Sequence, residues 1–357
     1  MIMKRIPLNT FGCMTVMVMA LLMMHSCSNG IVKINEKNFP DPAFRSYLLE
    51  EDYGQDGVLT KEEIQSIDIL YVEEKDIESL KGIEIFTALK NLRCWNNKLT
   101  ELDLSPCKEL KSLSCEKNQL TELNLSGCSE LDHLSCYKNQ LTRLDLSPCK
   151  ALNHLQCEDN QLTELNVSGC SDLTTLICHN NQLTKLELAS TLPDLWIFQC
   201  NKNQLTELDV STCPKLQQLD CQENQLTKLS LTGCEELKHI NCADNQLTEL
   251  DPTPCQALYY LNCSGNKLTK LDLSPCTELN YLVCANNQLS GEAMDALIES
   301  LRKGDLTQIH PSSLCLFSED NEGNACTGKQ LARAGAKGWK LLFKSGEEEK
   351  EYKGSKQ

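Results

Sequence analysis

Cysteine is the residue type with the most chemical potential in this chain, which has 22 cysteines among its 357 residues. In an exported protein such a number suggests disulfides, but the spacing favours another role. One series recurs every 21 or 22 residues: Cys94, Cys115, Cys136, Cys157, Cys178, Cys200, Cys221, Cys242, Cys263 and Cys284. A second series keeps the same interval: Cys107, Cys128, Cys149, Cys170, Cys213, Cys234, Cys255 and Cys276. Leu192 stands where the second series skips a member, so we expect both positions to be apolar and their thiols unpaired. Cys315 and Cys326 lie outside both series, and the sequence leaves open whether they pair.

The residues best spaced for metal binding lie in the segment DYGQDGVLTKEE. It has oxygen donors at positions 1, 5, 7, 9 and 12 of an EF-hand loop, from Asp52, Asp56, the Val58 carbonyl, Thr60 and Glu63. Gly54 at position 3 supplies no side-chain oxygen, so one ligand is missing. Two interpretations stay open: a weak structural calcium site, and an ion-free helix–loop–helix. No cofactor is required, and the lack of any CxxC spacing gives zinc little support.

The first 26 residues have the pattern of a secretory signal peptide. Lys4 and Arg5 form a basic start, and residues 11–24 form an apolar run too short to span a bilayer comfortably. The segment ending in Ser26 and Cys27 resembles a bacterial lipobox, in which the cysteine is lipidated after cleavage. Ordinary cleavage nearby is the alternative. We expect an exported protein of the bacterial cell envelope, held at the outer membrane or cell surface by a lipid on Cys27.

The charge of the chain argues against two classes of partner. The formal net charge is −16 at pH 7. A nucleic-acid-binding surface needs clustered Lys and Arg, so no nucleic-acid partner is expected. Peripheral binding to an anionic membrane face is disfavoured for the same reason.

A repeat of 21 residues runs from residue 89 to residue 290. Successive copies read LKNLRCWNNKLTELDLSPCKE, LKSLSCEKNQLTELNLSGCSE and LDHLSCYKNQLTRLDLSPCKA. Such a period predicts a solenoid, because each unit can bury its apolar face only against its neighbours. Alternation in Leu113-Ser114-Cys115 predicts a short strand with Leu and Cys inward, and stacked strands form a parallel sheet. The unvarying Asn of each copy, such as Asn118, is expected to bond turn backbone groups from coil to coil. The second half of each copy predicts another extended arc rather than a long helix.

These repeats resemble those of the leucine-rich-repeat superfamily, and in particular the cysteine-bearing repeats of internalin J and related bacterial surface proteins. The resemblance covers residues 89–290. It implies a curved, right-handed, β-rich solenoid with an inward cysteine ladder, and a role in adhesion or partner recognition. The chain departs from internalins in its lipobox-like start and in showing no C-terminal wall-sorting signal.

Caps are expected at both ends of the repeats, because a solenoid needs its open ends covered. Residues 27–88 predict a helical N-terminal cap that contains the EF-hand-like loop. Residues 291–344 predict a small α/β C-terminal cap, with helices over Gly291–Lys303 and Thr327–Ala336 and strands over Cys315–Phe317 and Trp339–Phe343. Residues 345–357 predict a charged, solvated tail.

Candidate binding residues lie where strand side chains point outward on the predicted concave face. One cluster is His239, Tyr259, Tyr260 and Tyr281; a second is His133, Tyr137, His154 and His179, with Trp95 further along. Exposed aromatic side chains on a rigid sheet are common binding anchors, although a β surface also favours Tyr without any function. The sequence contains no nucleophile elbow, phosphate loop or HExxH pattern, so no enzyme activity is expected. The leading hypothesis is recognition of a protein or glycan, and the alternative is a structural or assembly element of an envelope complex.

Overall fold

The computed structural model describes residues 30–318, 323–345 and 348–351. The predicted signal peptide and Cys27 lie outside the described residues. The chain divides into two compact units between Leu173 and Thr174, except that Glu187–Ala189 belongs to the first unit. No helix within the described ranges is long and apolar enough to cross a membrane.

The N-terminal cap is built from two helices and a small antiparallel pair of strands. Its elements are Val32–Lys33, helix Pro42–Glu50, Val58–Leu59 and helix Lys61–Ser66. Asp41 begins the first helix by accepting a hydrogen bond from the Phe44 N–H, and Phe44 and Leu48 turn into the core. The second carboxylate oxygen of Asp41 accepts from the N–H groups of Glu78 and Ser79, at 2.8 and 3.1 Å. One side chain therefore caps a helix and ties it to the first coil.

Short parallel strands form the main sheet in each unit. In the first unit they are Ile69–Tyr71, Asn91–Arg93, Ser112–Ser114, His133–Ser135 and His154–Gln156. In the second they are Thr175–Ile177, Ile197–Gln199, Gln218–Asp220, His239–Asn241, Tyr260–Asn262 and Tyr281–Val283. The sheet begins at Ile69, one coil before the repeat motif. Val72 is buried there at the position that Cys takes in later coils, so an apolar residue suffices.

The second half of the coils is extended, as predicted. Its strands are Glu101–Asp103, Glu122–Asn124, Glu164–Asn166, Lys185–Glu187, Glu207–Asp209 and Lys228–Ser230. Glu101–Asp103 pairs in parallel with Glu122–Asn124, and Glu207–Asp209 with Lys228–Ser230. The remaining described coils have no assigned strand on this side.

The repeated Asn joins each coil to the one before it. Asn118 Nδ2 donates to the Cys94 carbonyl of the preceding coil at 2.9 Å and to the Cys115 carbonyl at 3.0 Å. Its Oδ1 accepts from the Leu99 N–H at 3.0 Å. The residue before this Asn, Lys117, has φ of 55°, a left-handed conformation that recurs through the repeats. The predicted coil-to-coil role of Asn is confirmed.

The cysteine ladders are packed inside the coils, as predicted. Cys94 and Cys115 are fully buried, and burial raises the pKa of both thiols far above its ordinary value. In the second series Cys128 Sγ donates to the Leu104 carbonyl of the preceding coil at 3.4 Å. These thiols act as small apolar fillers with weak hydrogen bonds. Cys326 carries a free thiol, so this structure contains no Cys315–Cys326 bond.

The C-terminal cap continues the sheet. Its elements are helix Gly291–Ser300, strand Ser313–Ser318, helix Gly328–Ala336, strand Lys340–Ser345 and strand Glu348–Glu351. Asn324 Nδ2 donates to the Cys284 carbonyl at 2.9 Å and its Oδ1 accepts from the Leu289 N–H, so it replaces the repeat Asn for the last coil. Arg333 joins the two helices through ion pairs with Asp295 and Glu299.

Part of the segment 345–357, predicted as a charged, solvated tail, forms an edge strand. Glu348–Glu351 pairs antiparallel with the strand before it, in register with Leu342–Ser345. The reason is the free edge of strand Lys340–Ser345, whose backbone groups would otherwise need water as a partner. Charged side chains did not prevent this pairing, because the hydrogen bonds are between backbone groups.

Candidate functional site

The parallel register places equivalent outward side chains beside one another. In the second unit the pairs run Ile197 to Gln218, Gln218 to His239, His239 to Tyr260 and Tyr260 to Tyr281. Strands about 4.8 Å apart bring such side chains into contact. Three predicted site residues therefore meet in one column.

His239, Tyr260 and Tyr281 form what we call the C-terminal ring stack. The His239 and Tyr260 ring centroids are 4.3 Å apart with planes at 4°, and those of Tyr260 and Tyr281 are 5.3 Å apart at 13°. Both faces of the Tyr260 ring are thus covered by neighbouring rings. The Tyr260 ring therefore has no open face for a ligand to stack on.

Asp220 fixes one end of the ring stack. It is only 8% exposed. Its Oδ2 accepts from Gln199 Nε2 at 2.9 Å and from Gln218 Nε2 at 2.7 Å, and its Oδ1 lies 3.3 Å from His239 Nε2. Burial alone would raise the pKa of Asp220, but the hydrogen bonds from His239, Gln218 and Gln199 outweigh burial and lower it. Asp220 is not among the site residues predicted from the sequence; its position one coil before His239 was the available signal.

Tyr259 directly precedes the strand of Tyr260, and Asn280 of the next coil binds its hydroxyl. The Tyr259 side chain is largely exposed, at 45%. Its hydroxyl accepts a hydrogen bond from Asn280 Nδ2 at 2.9 Å, and the same Nδ2 donates to the His310 carbonyl at 3.0 Å. The four residues predicted as the C-terminal cluster therefore lie together on one surface.

Two residues of the second predicted cluster, His133 and His154, lie side by side. The His133 and His154 rings stack at 5.7 Å with planes at 20°, and Asp132 Oδ1 lies 2.6 Å from His133 Nδ1. Burial lowers the pKa of His154, and the charge of His133 lowers it further by a smaller amount. A hydrogen bond with Gln156 opposes these effects without reversing them. His179 belongs to the other compact unit. Trp95 and Tyr137 follow the ladder Cys of alternate coils and are half-buried.

Sequence reasoning missed the acids that alternate with these aromatic residues. Glu73, Glu116 and Glu158 take the same repeat position as Trp95 and Tyr137, and each has a buried Oε2 without a hydrogen-bond partner. Burial, with smaller effects of Asp159 and Glu116, raises the pKa of Glu158 to about 7. Each acid directly follows the inward position held by Cys, or by Val72 in the first coil. Comparing the residues at that one repeat position could have identified them.

The EF-hand-like loop uses its oxygens within the protein. Glu63 Oε2 accepts from the Thr60 N–H at 2.7 Å and from Thr60 Oγ1 at 2.8 Å, which completes a capping box for helix Lys61–Ser66. Asp56 Oδ1 accepts from the Val58 N–H at 3.0 Å, and Asp52 Oδ1 accepts from Gln55. Among the residues described, no three His, Cys, Asp or Glu are grouped as metal ligands. Calcium binding at this loop stays a prediction.

Solved structures share this architecture, whereas no protein-family model and no curated protein matches the sequence. The functional domain of InlJ from Listeria monocytogenes, which includes a cysteine ladder, is 32% identical with a TM-score of 0.67. That match covers 82% of this chain and 62% of the InlJ chain, so this chain spans less than two thirds of it. An internalin, inlF, from the same organism is 23% identical with a TM-score of 0.58, covering 85% of this chain and 95% of its own. The leucine-rich-repeat domain of APL1B is 19% identical with a TM-score of 0.59, covering 88% and 89%. The predicted leucine-rich-repeat solenoid is confirmed.

Proposed function

We propose that this chain is a non-catalytic binding protein of the bacterial cell envelope. It recognises a protein or glycan partner through the outward face of its parallel strands, the predicted concave face. The observation that carries this proposal is the C-terminal ring stack with Asp220 at its end. Aromatic side chains fixed in one arrangement lose little conformational freedom when a partner binds, so more of the contact energy contributes to affinity. The likeness to InlJ supports a recognition role.

The state of Asp220 supports binding over catalysis. A general acid or base works best when its pKa lies near the working pH. The hydrogen bonds to Asp220 lower its pKa and engage both of its oxygens. Asp220 therefore serves to position His239 rather than to exchange protons.

A lipid on Cys27 is the proposed link to the membrane. The basic start, the apolar run and the Ser26-Cys27 pair support this inference. Growth with a labelled fatty acid should label the wild-type protein and leave Cys27→Ser unlabelled. Equal labelling of both would contradict the anchor.

The binding proposal is tested with protein and glycan arrays probed with the chain lacking its signal peptide. The test variant carries His239→Ala, Tyr260→Ala and Tyr281→Ala. The matched control carries alanine at the same outward repeat position in the first unit, Asn91→Ala and Ser112→Ala. We expect a ligand that the wild type and control bind and that the folded test variant loses. Binding that survives the test variant would place the site elsewhere. An array without any ligand would favour the structural or assembly alternative.

A further inference from the structure

The loop at residues 304–311 holds the most exposed large apolar side chain among the described residues. Ile309 is 94% exposed and Leu306 is 55% exposed. The loop precedes strand Ser313–Ser318, which continues the sheet beyond Tyr281–Val283. Aliphatic side chains with this exposure gain free energy as soon as a partner covers them.

A buried polar network holds this loop in place. At its centre is Asn280, which is 2% exposed. Asn280 Oδ1 accepts from Arg302 Nη2 at 2.8 Å and from Ser312 Oγ at 2.7 Å, while Asn280 Nδ2 donates to the His310 carbonyl. Ser312 Oγ also accepts from the Asp305 N–H at 2.9 Å, so both ends of the loop are tied to Asn280. The two apolar side chains stand on a fixed backbone.

The same network joins the loop to the candidate binding surface. Asn280 Nδ2 donates to both the Tyr259 hydroxyl and the His310 carbonyl, so these two oxygens share one nitrogen. The N–H groups of Asn280 and Tyr281 both donate to the Tyr259 carbonyl, at 2.8 and 3.0 Å. Tyr259, the ring stack and the loop are thus neighbours linked by hydrogen bonds through Asn280.

We propose that the loop 304–311 and the C-terminal ring stack form one composite docking surface, and that its occupant is a protein with an apolar pocket for Ile309 and Leu306. This inference rests on the proposed binding function. It extends that function by naming the partner class and by adding the cap loop to the site.

The geometry favours a protein over a glycan. A sugar ring packs best on an open aromatic face, but Tyr260 has both faces covered by His239 and Tyr281. Leu306 and Ile309 have no polar atoms in their side chains with which to bond hydroxyl groups. A protein pocket can cover such aliphatic side chains.

The geometry and charge also disfavour a membrane as the occupant. The chain carries a net charge of −16, and Asp305 lies within the loop. Anionic lipid would repel such a surface. Two aliphatic side chains bury less apolar area than one acyl chain, and a single acyl chain already binds membranes only marginally.

The test uses phage-displayed random peptides selected on the mature wild-type chain, together with a glycan array and vesicles of neutral and anionic phospholipid. The loop variant is Leu306→Asp with Ile309→Asp, whose sites are exposed and outside the core. The matched control is Leu49→Asp, an exposed leucine of the N-terminal cap. Thermal unfolding of each variant checks that the fold is kept.

We expect selected peptides that carry aliphatic or aromatic side chains and bind the loop variant about 30-fold more weakly than the wild type, with the control unchanged. They should also weaken on the ring-stack variant His239→Ala, Tyr260→Ala, Tyr281→Ala. Peptides that lose affinity only on the ring-stack variant would overturn the composite surface and leave the proposed function standing. Peptides indifferent to both variants would overturn both. Glycan or vesicle binding that depends on the loop would replace the protein with that occupant.

Discussion

Removing a single repeat Asn should show how strongly one coil depends on the next. Asn139 is buried; its Nδ2 donates to the carbonyls of Cys115 and Cys136 at 3.1 and 3.0 Å. Its Oδ1 accepts from the Leu120 N–H at 2.9 Å. In Asn139→Ala the buried Leu120 N–H loses its acceptor. The Cys115 and Cys136 carbonyls each lose one of two side-chain donors and keep the bonds from Asn118 and Asn160.

The size of the effect follows from the three bonds. A buried backbone group left without a partner costs about 1–3 kcal/mol. Each carbonyl keeps a second donor, so each of these lost bonds costs only about 0.5–1.5 kcal/mol. Together with the Leu120 N–H, we expect Asn139→Ala to lower the free energy of unfolding by about 2–6 kcal/mol. That is a large part of the stability of a typical domain, which is about 5–15 kcal/mol.

Urea unfolding gives the free energy, and hydrogen exchange at the Leu120 amide locates the loss. Asn139→Asp keeps an acceptor for the Leu120 N–H but has no donor for the carbonyls, so it should destabilise while protecting that amide better than alanine does. Gln140→Ala, at the exposed next residue, is the matched control and should change little. A loss below about 1 kcal/mol, with Leu120 exchange unaltered, would refute the role given to Asn139.

Three further changes test other parts of the repeat. Lys117→Gly, at φ of 55°, should raise the free energy of unfolding by up to about 1 kcal/mol in urea unfolding, because glycine adopts this conformation without strain. Gln119→Gly, nearby at an ordinary φ, should lower it, and an equal effect of both would count against the backbone argument. Cys115→Ser should lower the free energy of unfolding by about 1–3 kcal/mol, and by more than Cys115→Ala, because it buries a hydroxyl in an apolar column. The opposite order of the two variants in thermal or urea unfolding would contradict the apolar role of Cys115. The folded pKa of Glu158, about 7, lies above the ordinary 4.5, so the folded state binds the proton more tightly. Stability should therefore fall as pH rises from 4.5 through 7, and urea unfolding across that range should show a smaller fall for Glu158→Gln. If the wild type and Glu158→Gln show the same pH dependence, Glu158 is not its cause.

The sequence was most informative where a requirement recurs in every coil. Leu113, Cys115 and Asn118 could be assigned inward or turn positions because each copy meets the same neighbours, and one periodic pattern reports all of them. His239, Tyr260 and Tyr281 could be placed in one column for the same reason. These predictions needed only the period and the alternation of a strand.

Features made by a single contact between distant segments could not be predicted. The network around Asn280 joins Tyr259 to Arg302 and Ser312, and no period connects the last repeats with the cap. Asn324 makes the contacts of a repeat Asn, but it follows Asn287 by 37 residues, whereas the repeat interval is 21. The spacing therefore could not predict its role. The Asp220–His239 contact joins adjacent coils, but its importance depends on the burial of Asp220, which the residue types alone do not give.

The Asn contacts run in one direction along the chain, from each coil back to the coil before it. Within each unit, a coil is completed only by the Asn of its successor, and Asn324 completes the last one. A gene rearrangement that adds or removes one whole copy inside such a run therefore leaves every remaining Asn with the same kind of partner. Loss of Asn324, by contrast, leaves the Leu289 N–H of the final coil without its acceptor and takes from the Cys284 carbonyl one of its two side-chain donors, the other being Asn287. The Asn bonds therefore set no fixed number of coils, whereas they do require the closing segment that carries Asn324.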